Sequence, residues 1–210
     1  MDNPTSFTAI IKKALFILKK PASFYREMPK SGGFLEPVIF VIVMAVIVGL
    51  IMTLFSLFGL GIMGGMAFGF NTILFTTIAS VISSFIGAAI LFVIWKLMGS
   101  DENYQVAYRC IAFAAVTYPA VALLAPIPFI GSIASIIIGT YFMVIASIQV
   151  HGIKPRTAYL IFGILGFIGL LSNISNEIAV RNLMSQSGDL SEQFKGFGEP
   201  MRAPNKLESE

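Results

Sequence analysis

Residues 37–58 read PVIFVIVMAVIVGLIMTLFSLF, a run with no charged side chain and no alternation of apolar and polar positions. The charge-free region is longer still, because no Asp, Glu, Lys or Arg occurs between Glu36 and Lys96. A helix needs about 20 apolar residues to cross a bilayer, so this region alone holds two crossings. Lipid accepts only helices or closed barrels, since every backbone N–H and C=O must find a partner within the protein. Continuous apolar runs without period-two alternation select helices. The chain therefore reads as an all-α, polytopic membrane helix bundle.

Composition agrees with that solvent. The 210 residues are 56% hydrophobic and 12% charged, with a mean hydropathy of +0.85, far from the balance of an ordinary soluble domain. Working outward gives five spans, at about 37–58, 71–95, 106–124, 129–150 and 157–177. The first opens at Pro37, where a first-turn proline is harmless. The glycine-rich GLGIMGGMAFGF (59–70) separates the first from the second, and its Gly61, Gly65 and Gly69 suit a flexible or re-entrant connection. The fifth is the weakest, because YLIFGILGFIGLL gives way to SNISNE; a four-span bundle with that segment on the surface is the competing topology.

The stretch TYPAVALLAPIPFIG (117–131) holds three prolines. Pro126 and Pro128 fall between spans, where they cannot extend a helix and disfavour helical geometry before them, so they mark a tight turn into Gly131. Pro119 lies inside the third span and removes the hydrogen bond that would reach Ala115, which predicts a kink. A packing kink is the simpler reading and a gating hinge the sharper one.

Lys and Arg accumulate on the cytoplasmic side. Lys12, Lys13, Lys19, Lys20, Arg26 and Lys30 precede the first span, Lys96 leads into the second loop, and Lys154 and Arg156 lie in the fourth. The connection 59–70 and the APIP turn carry none. This alternation predicts a cytoplasmic N-terminus and, with five spans, an outside C-terminus. Within the N-terminal region 1–36, Phe7, Ile10, Ile11, Ala14, Leu15 and Leu18 recur at helical spacing, with Lys12, Lys13, Lys19 and Lys20 on the other side. Such an amphipathic helix lies in the membrane plane with its lysines at anionic head groups; packing on the protein's own loops is the alternative. The N-terminus lacks the pattern of a signal peptide. The bundle is assigned to 37–180, and the polar tail 181–210 has the composition of a disordered segment.

Residues that carry chemistry are scarce. Cys110 is the only cysteine and His151 the only histidine, so no cysteine framework or metal cluster is expected. Asp101 and Glu102 form an acidic pair without a partner base. No phosphate-binding glycine motif, cofactor site or nucleic-acid surface is expected, and the protein reads as non-enzymatic. Arg109 is the most suggestive charge, about one turn into the third span, where it either snorkels to head groups or pairs with Asp101 or Glu102, or else serves a substrate. Small residues four apart, Ala79/Ser83/Gly87 and Gly131/Ser135/Gly139, suggest close helix packing within the chain or between copies.

The segments KKPASFYREMPKSGGFLEPVIFVIV and NYQVAYRCIAFAAVTYPAVALLAPIPFIGSIASIIIGTYFMVIASIQVHGI resemble the Yip family, the Ypt-interacting-protein group of five-span membrane proteins, in its prokaryotic form. The likeness covers roughly residues 15–175. Its pieces are Pro21, Phe24 and Tyr25, the loop into Tyr108-Arg109, Tyr118-Pro119, the turn Ile127 to Gly131, and His151-Gly152. The resemblance implies five helices, a cytosolic N-terminus and a role in trafficking or membrane organisation, with Rab-type GTPase partners in eukaryotic relatives. The acidic, tyrosine and glycine-proline motif of those relatives is represented here only by Phe34-Leu35-Glu36-Pro37, so GTPase binding is not carried over. Two functions remain: a membrane scaffold or adaptor in a bacterial or archaeal cytoplasmic membrane, which contacts lipid, an unidentified protein or a second copy of itself; or a small-solute permease or channel component, with the Pro119 kink and the Gly61 to Gly69 connection as its moving parts.

Overall fold

The structure is a computed structural model that describes residues 6–58, 69–127 and 129–197. Eight helices follow in order: α1 (Phe7–Lys19), α2 (Pro21–Glu27), α3 (Leu35–Leu57), α4 (Gly69–Leu97), α5 (Tyr104–Ala114), α6 (Thr117–Ala122), α7 (Ile130–Gln149) and α8 (Pro155–Phe197). No strand occurs among the described residues. Four helical segments are long and apolar enough to cross a membrane: Leu35–Leu57, Ile73–Leu97, Ile130–Gln149 and Pro155–Val180. They match the first, second, fourth and fifth expected spans.

The third expected span is not one helix. It divides into α5 and α6 at Ala115 and Val116, just ahead of Pro119. Pro119 has no N–H to offer Ala115, and the backbone tightens instead. Ala115 N–H donates to Ala112 O (3.2 Å), Val116 N–H to Phe113 O (3.3 Å) and Tyr118 N–H to Ala115 O (3.0 Å). These three-residue bonds are the tighter 3₁₀ pattern that substitutes where an α-helix loses its ladder. The proline therefore breaks the helix upstream of itself.

Two contacts fix which loops share an end. Ser100, just beyond α4, meets His151, just beyond α7, at 2.7 Å. At the opposite end, the Glu177 carboxylate of α8 accepts from Phe129 N–H (2.8 Å) and Ser132 Oγ (2.7 Å) at the start of α7. The chain between Ser100 and Phe129 thus runs from one end of the bundle to the other through α5 and α6. Residues 123–127 reverse it by successive tight turns, with Leu124 N–H on Val121 O and Ala125 N–H on Ala122 O. Phe129 adopts a left-handed φ of 64° before α7. Pro128 lies outside the described residues, as does most of the glycine-rich connection.

The exterior is apolar where lipid would lie. On α4, Ile78, Ile82, Ile86, Ile90, Val93 and Leu97 form one exposed stripe. α5 is the opposite case, buried on every side from Val106 to Phe113. Among the described residues, the closest glycine contacts are not the expected ridges. A Cβ on Gly49 of α3 would lie 2.8 Å from Ile73 Cα, and one on Gly166 of α8 would lie 2.5 Å from Thr140 Oγ1. Gly87 and Gly139 face open space, while Gly131 packs against the Leu124 carbonyl at 3.3 Å. The expected ridges are therefore not where the helices approach most closely.

α8 has 43 residues, about 65 Å at 1.5 Å per residue, twice a bilayer's hydrocarbon thickness. It continues as helix past 180 to Phe197, through the first part of the tail whose composition suggests disorder.

Candidate functional site

The N-terminal region is fastened to the bundle. α1 is capped by Ser6, whose Oγ accepts from Ala9 N–H at 3.3 Å. Its Ile10, Ala14 and Ile17 are buried in the common core. Helical periodicity assigns Ile10 and Ala14 to the membrane-facing side, and α1 instead turns them inward together with Ile17. A second stripe remains outside: Phe7, Leu15 and Leu18 are exposed and Ile11 is half-buried beside them. Lys12, Lys19 and Lys20 are also exposed.

α2 inserts two aromatic rings beneath α1. Phe24 stacks edge-on against Phe113 at 5.1 Å, and buried Tyr25 donates its hydroxyl to Cys110 O at 2.8 Å. That hydrogen bond ties α2 to the most buried helix of the bundle. Burial pushes the Tyr25 phenol well above its ordinary range, so it stays a donor at any working pH. Arg26 Nε donates to Gln149 Oε1 (3.0 Å), and Lys30 pairs with Glu102 (2.5 Å).

The segment 28–36 then crosses the N-terminal half of α5. Gly32 and Gly33 take φ of 108° and 75°, values that glycine adopts without strain. With its amide oxygen turned toward them, Gln105 accepts from Gly32 N–H (3.3 Å) and Gly33 N–H (2.6 Å). Arg109 Nη1 donates to Gly33 O at 3.2 Å and Nη2 to Glu36 Oε2 at 2.8 Å. Lys13 of α1 pairs with the other oxygen of Glu36, and both cations lie over the Phe113 ring.

Arg109 is 1% exposed. It does not snorkel, and its partner is Glu36 rather than Asp101 or Glu102. In the sequence Glu36 is marked only as part of Phe34-Leu35-Glu36-Pro37, with no pairing to Arg109 implied, although one physical signal is present: an acid in the first turn of a charge-free span is costly unless a buried cation meets it. Asp101 is exposed.

Beside this network lies a polar knot at the same end. Trp95 stacks on His151 with centroids 4.0 Å apart and donates from Nε1 to Ser147 Oγ at 2.7 Å. His151 meets Ser100 Oγ through Nδ1, and Cys110 Sγ lies 3.9 Å from Nε2. Burial, with Lys30 and Lys96 nearby, holds the imidazole down to about 4. No group of three or more His, Cys, Asp or Glu able to hold a metal occurs among the described residues.

A family model described as the Yip1 domain matches residues 15–175, the whole arrangement from the end of α1 to α8. The chain belongs to the Yip1 domain family. Comparison with curated proteins and with solved structures gave no match. In this Yip1 domain, Pro119 sits in α6 beside the helix break, Pro126 in the following turn, and Gly131 in the first turn of α7. These three mark the end of the bundle away from Arg109, so the candidate positions divide between two ends and form no single centre. α6 also borders a cavity of about 390 Å³ between α3, α4, α5 and α7.

Proposed function

We propose that this protein is a non-enzymatic membrane scaffold or adaptor of the Yip type, which organises lipid or recruits a partner through its N-terminal face. One observation carries the reading: α1 and α2 are a fixed platform, locked to the bundle by Ile10, Ala14, Ile17, Tyr25 and the Lys13–Glu36–Arg109 network. The stripe Phe7, Leu15 and Leu18 is exposed alongside that lock, and Lys12 and Lys19 are exposed beyond it. This is the composition of an interfacial helix, apolar toward acyl chains and basic toward anionic head groups.

The reading includes five crossings, with α5 and α6 together forming the third as a broken helix whose break at Ala115 and Val116 is buried in protein, where lipid tolerates irregular backbone. The platform, Lys96, Lys154 and Arg156 then share the cytoplasmic side of a bacterial or archaeal membrane, and α8 carries the C-terminus outside. The small-solute permease reading draws on the cavity beside α6. That cavity has no charged side chain in its wall, which places the scaffold reading first.

Photo-crosslinking in native membranes from Leu15 and Lys19, followed by purification and mass spectrometry, tests the proposal. A reproducible, near-stoichiometric protein, or anionic lipid, at both positions supports it. Recovery of neither, with function intact after deletion of Phe7 to Leu18, overturns it.

A further inference from the structure

The cavity beside α6 sits in the half of the bundle away from the platform. Ser135 and Gly139 lie five and nine residues beyond the start of α7, about 8 and 14 Å along its axis. Val48, Met52, Ile111, Val121 and Met143 are the larger aliphatic side chains of the wall. The recess holds about 390 Å³ and is partly open to its surroundings, so something from those surroundings must fill it.

Water does not meet the need. That volume holds about a dozen waters at their liquid density, and each wants two to four polar partners. The side chains of the wall offer four hydroxyls, on Ser80, Thr117, Tyr118 and Ser135, and Thr117 already donates to Ala114 O at 2.9 Å. Apolar walls with a few hydroxyls are the lining of sites for apolar ligands, and at this depth the surrounding solvent is itself hydrocarbon.

We propose that the cavity is a binding site for one acyl chain of a membrane lipid, admitted because the break before Pro119 leaves α6 short of a continuous span. Gly139 makes the room: a Cβ added there meets nothing within 4 Å, so a larger side chain at this position enters the cavity without moving backbone. Gly87 has the same freedom on α4 but does not line the cavity.

The test reconstitutes the full chain in vesicles of phosphatidylethanolamine and phosphatidylglycerol doped with a phospholipid carrying a diazirine in its acyl chain. After illumination, modified residues are mapped by mass spectrometry. The expected result is labelling of Ile111, Val121 and Met143 that is lost in Gly139→Leu and kept in Gly87→Leu, while labelling of Ile82 and Ile86 is the same in all three. Thermal unfolding of Gly139→Leu confirms that it is folded, and Gly139→Ala, which fills less, should show partial loss. Absence of cavity labelling in the native chain overturns the proposal. So does labelling that persists in Gly139→Leu, or preferential labelling of the same residues by a water-soluble diazirine.

Discussion

Glu36 and Arg109 are 73 residues apart in the chain and meet through a 2.8 Å hydrogen bond from Arg109 Nη2 to Glu36 Oε2. The bond joins the first turn of α3 to the most buried helix of the bundle, and Lys13 of α1 completes it from the other side. One carboxylate thus holds the N-terminal platform, the first span and the third segment together. Arg109 Nε lies buried without a hydrogen-bond partner, so the guanidinium's hydrogen bonds go to Glu36 and Gly33 O alone among the described residues.

Removing that carboxylate is expected to be costly. Glu36→Ala leaves a buried cation without its counter-charge, a loss of about 3–5 kcal/mol. Lys13→Ala removes only the outer, partly exposed pair and should cost about 1 kcal/mol or less. Chemical unfolding of the purified chain in detergent compares the two. Equal effects would show that Arg109 is not held by Glu36, whereas partial recovery in the double variant Glu36→Gln/Arg109→Met identifies the stranded charge as the cause.

The glycines make a second set of expectations. At Gly49 an added methyl would sit 2.8 Å from a backbone atom of α4, so α3 and α4 must part, and Gly49→Ala should destabilise by about 1–3 kcal/mol. Gly87→Ala meets open space and should gain up to about 1 kcal/mol of helix propensity. Unfolding midpoints of both variants against the native chain give the sign directly; destabilisation by Gly87→Ala would place a contact on that face.

His151 supplies a pH dependence. The imidazole is held down to about 4 in the folded chain, against an ordinary value near 6.5. Between those values the unfolded chain binds the proton more readily, so stability is complete above about pH 6.5 and falls as pH drops toward 4. The full depression corresponds to about 3 kcal/mol. His151 is faced by Ser100, Cys110, Trp95, Lys30 and Lys96. Unfolding measured from pH 7 to pH 4 should show this slope in the native chain and lose it in His151→Gln; an unchanged slope would assign it to carboxylates.

Much of this architecture is legible in the amino-acid order, and the reason is physical. Lipid forces long apolar helices, so α3, α4 and α7 declare themselves by length and lack of charge, and Pro119 by its missing donor; α8 is less plain, because its apolar core gives way to SNISNE. Arg109 stands out for the cost of burying it. The hidden features depend on distance in space: the pairing with Glu36, the inward turn of Ile10 and Ala14, and the close approach at Gly49 rather than at the four-residue ridges. Periodicity assigns residues to faces of a helix, but it does not say which face meets protein and which meets lipid when both are apolar.

Glu177 is the last such case, since its value lies in what it reaches. Its carboxylate accepts from Phe129 N–H and Ser132 Oγ, which caps α7 from another helix in place of a local Ser or Asp. Four N–H groups at a helix start lack partners within the helix, and a negative charge there is favoured by the helix dipole. Glu177→Ala should therefore cost about 1–2 kcal/mol and loosen α8 from the start of α7. Glu177→Gln keeps one accepting oxygen and should lose less. Hydrogen exchange gives the local readout: amides of residues 129–133 should exchange faster in Glu177→Ala, with those of α5 unchanged. Uniform acceleration across the bundle would point to general destabilisation, and no change at 129–133 would remove Glu177 as the cap of α7.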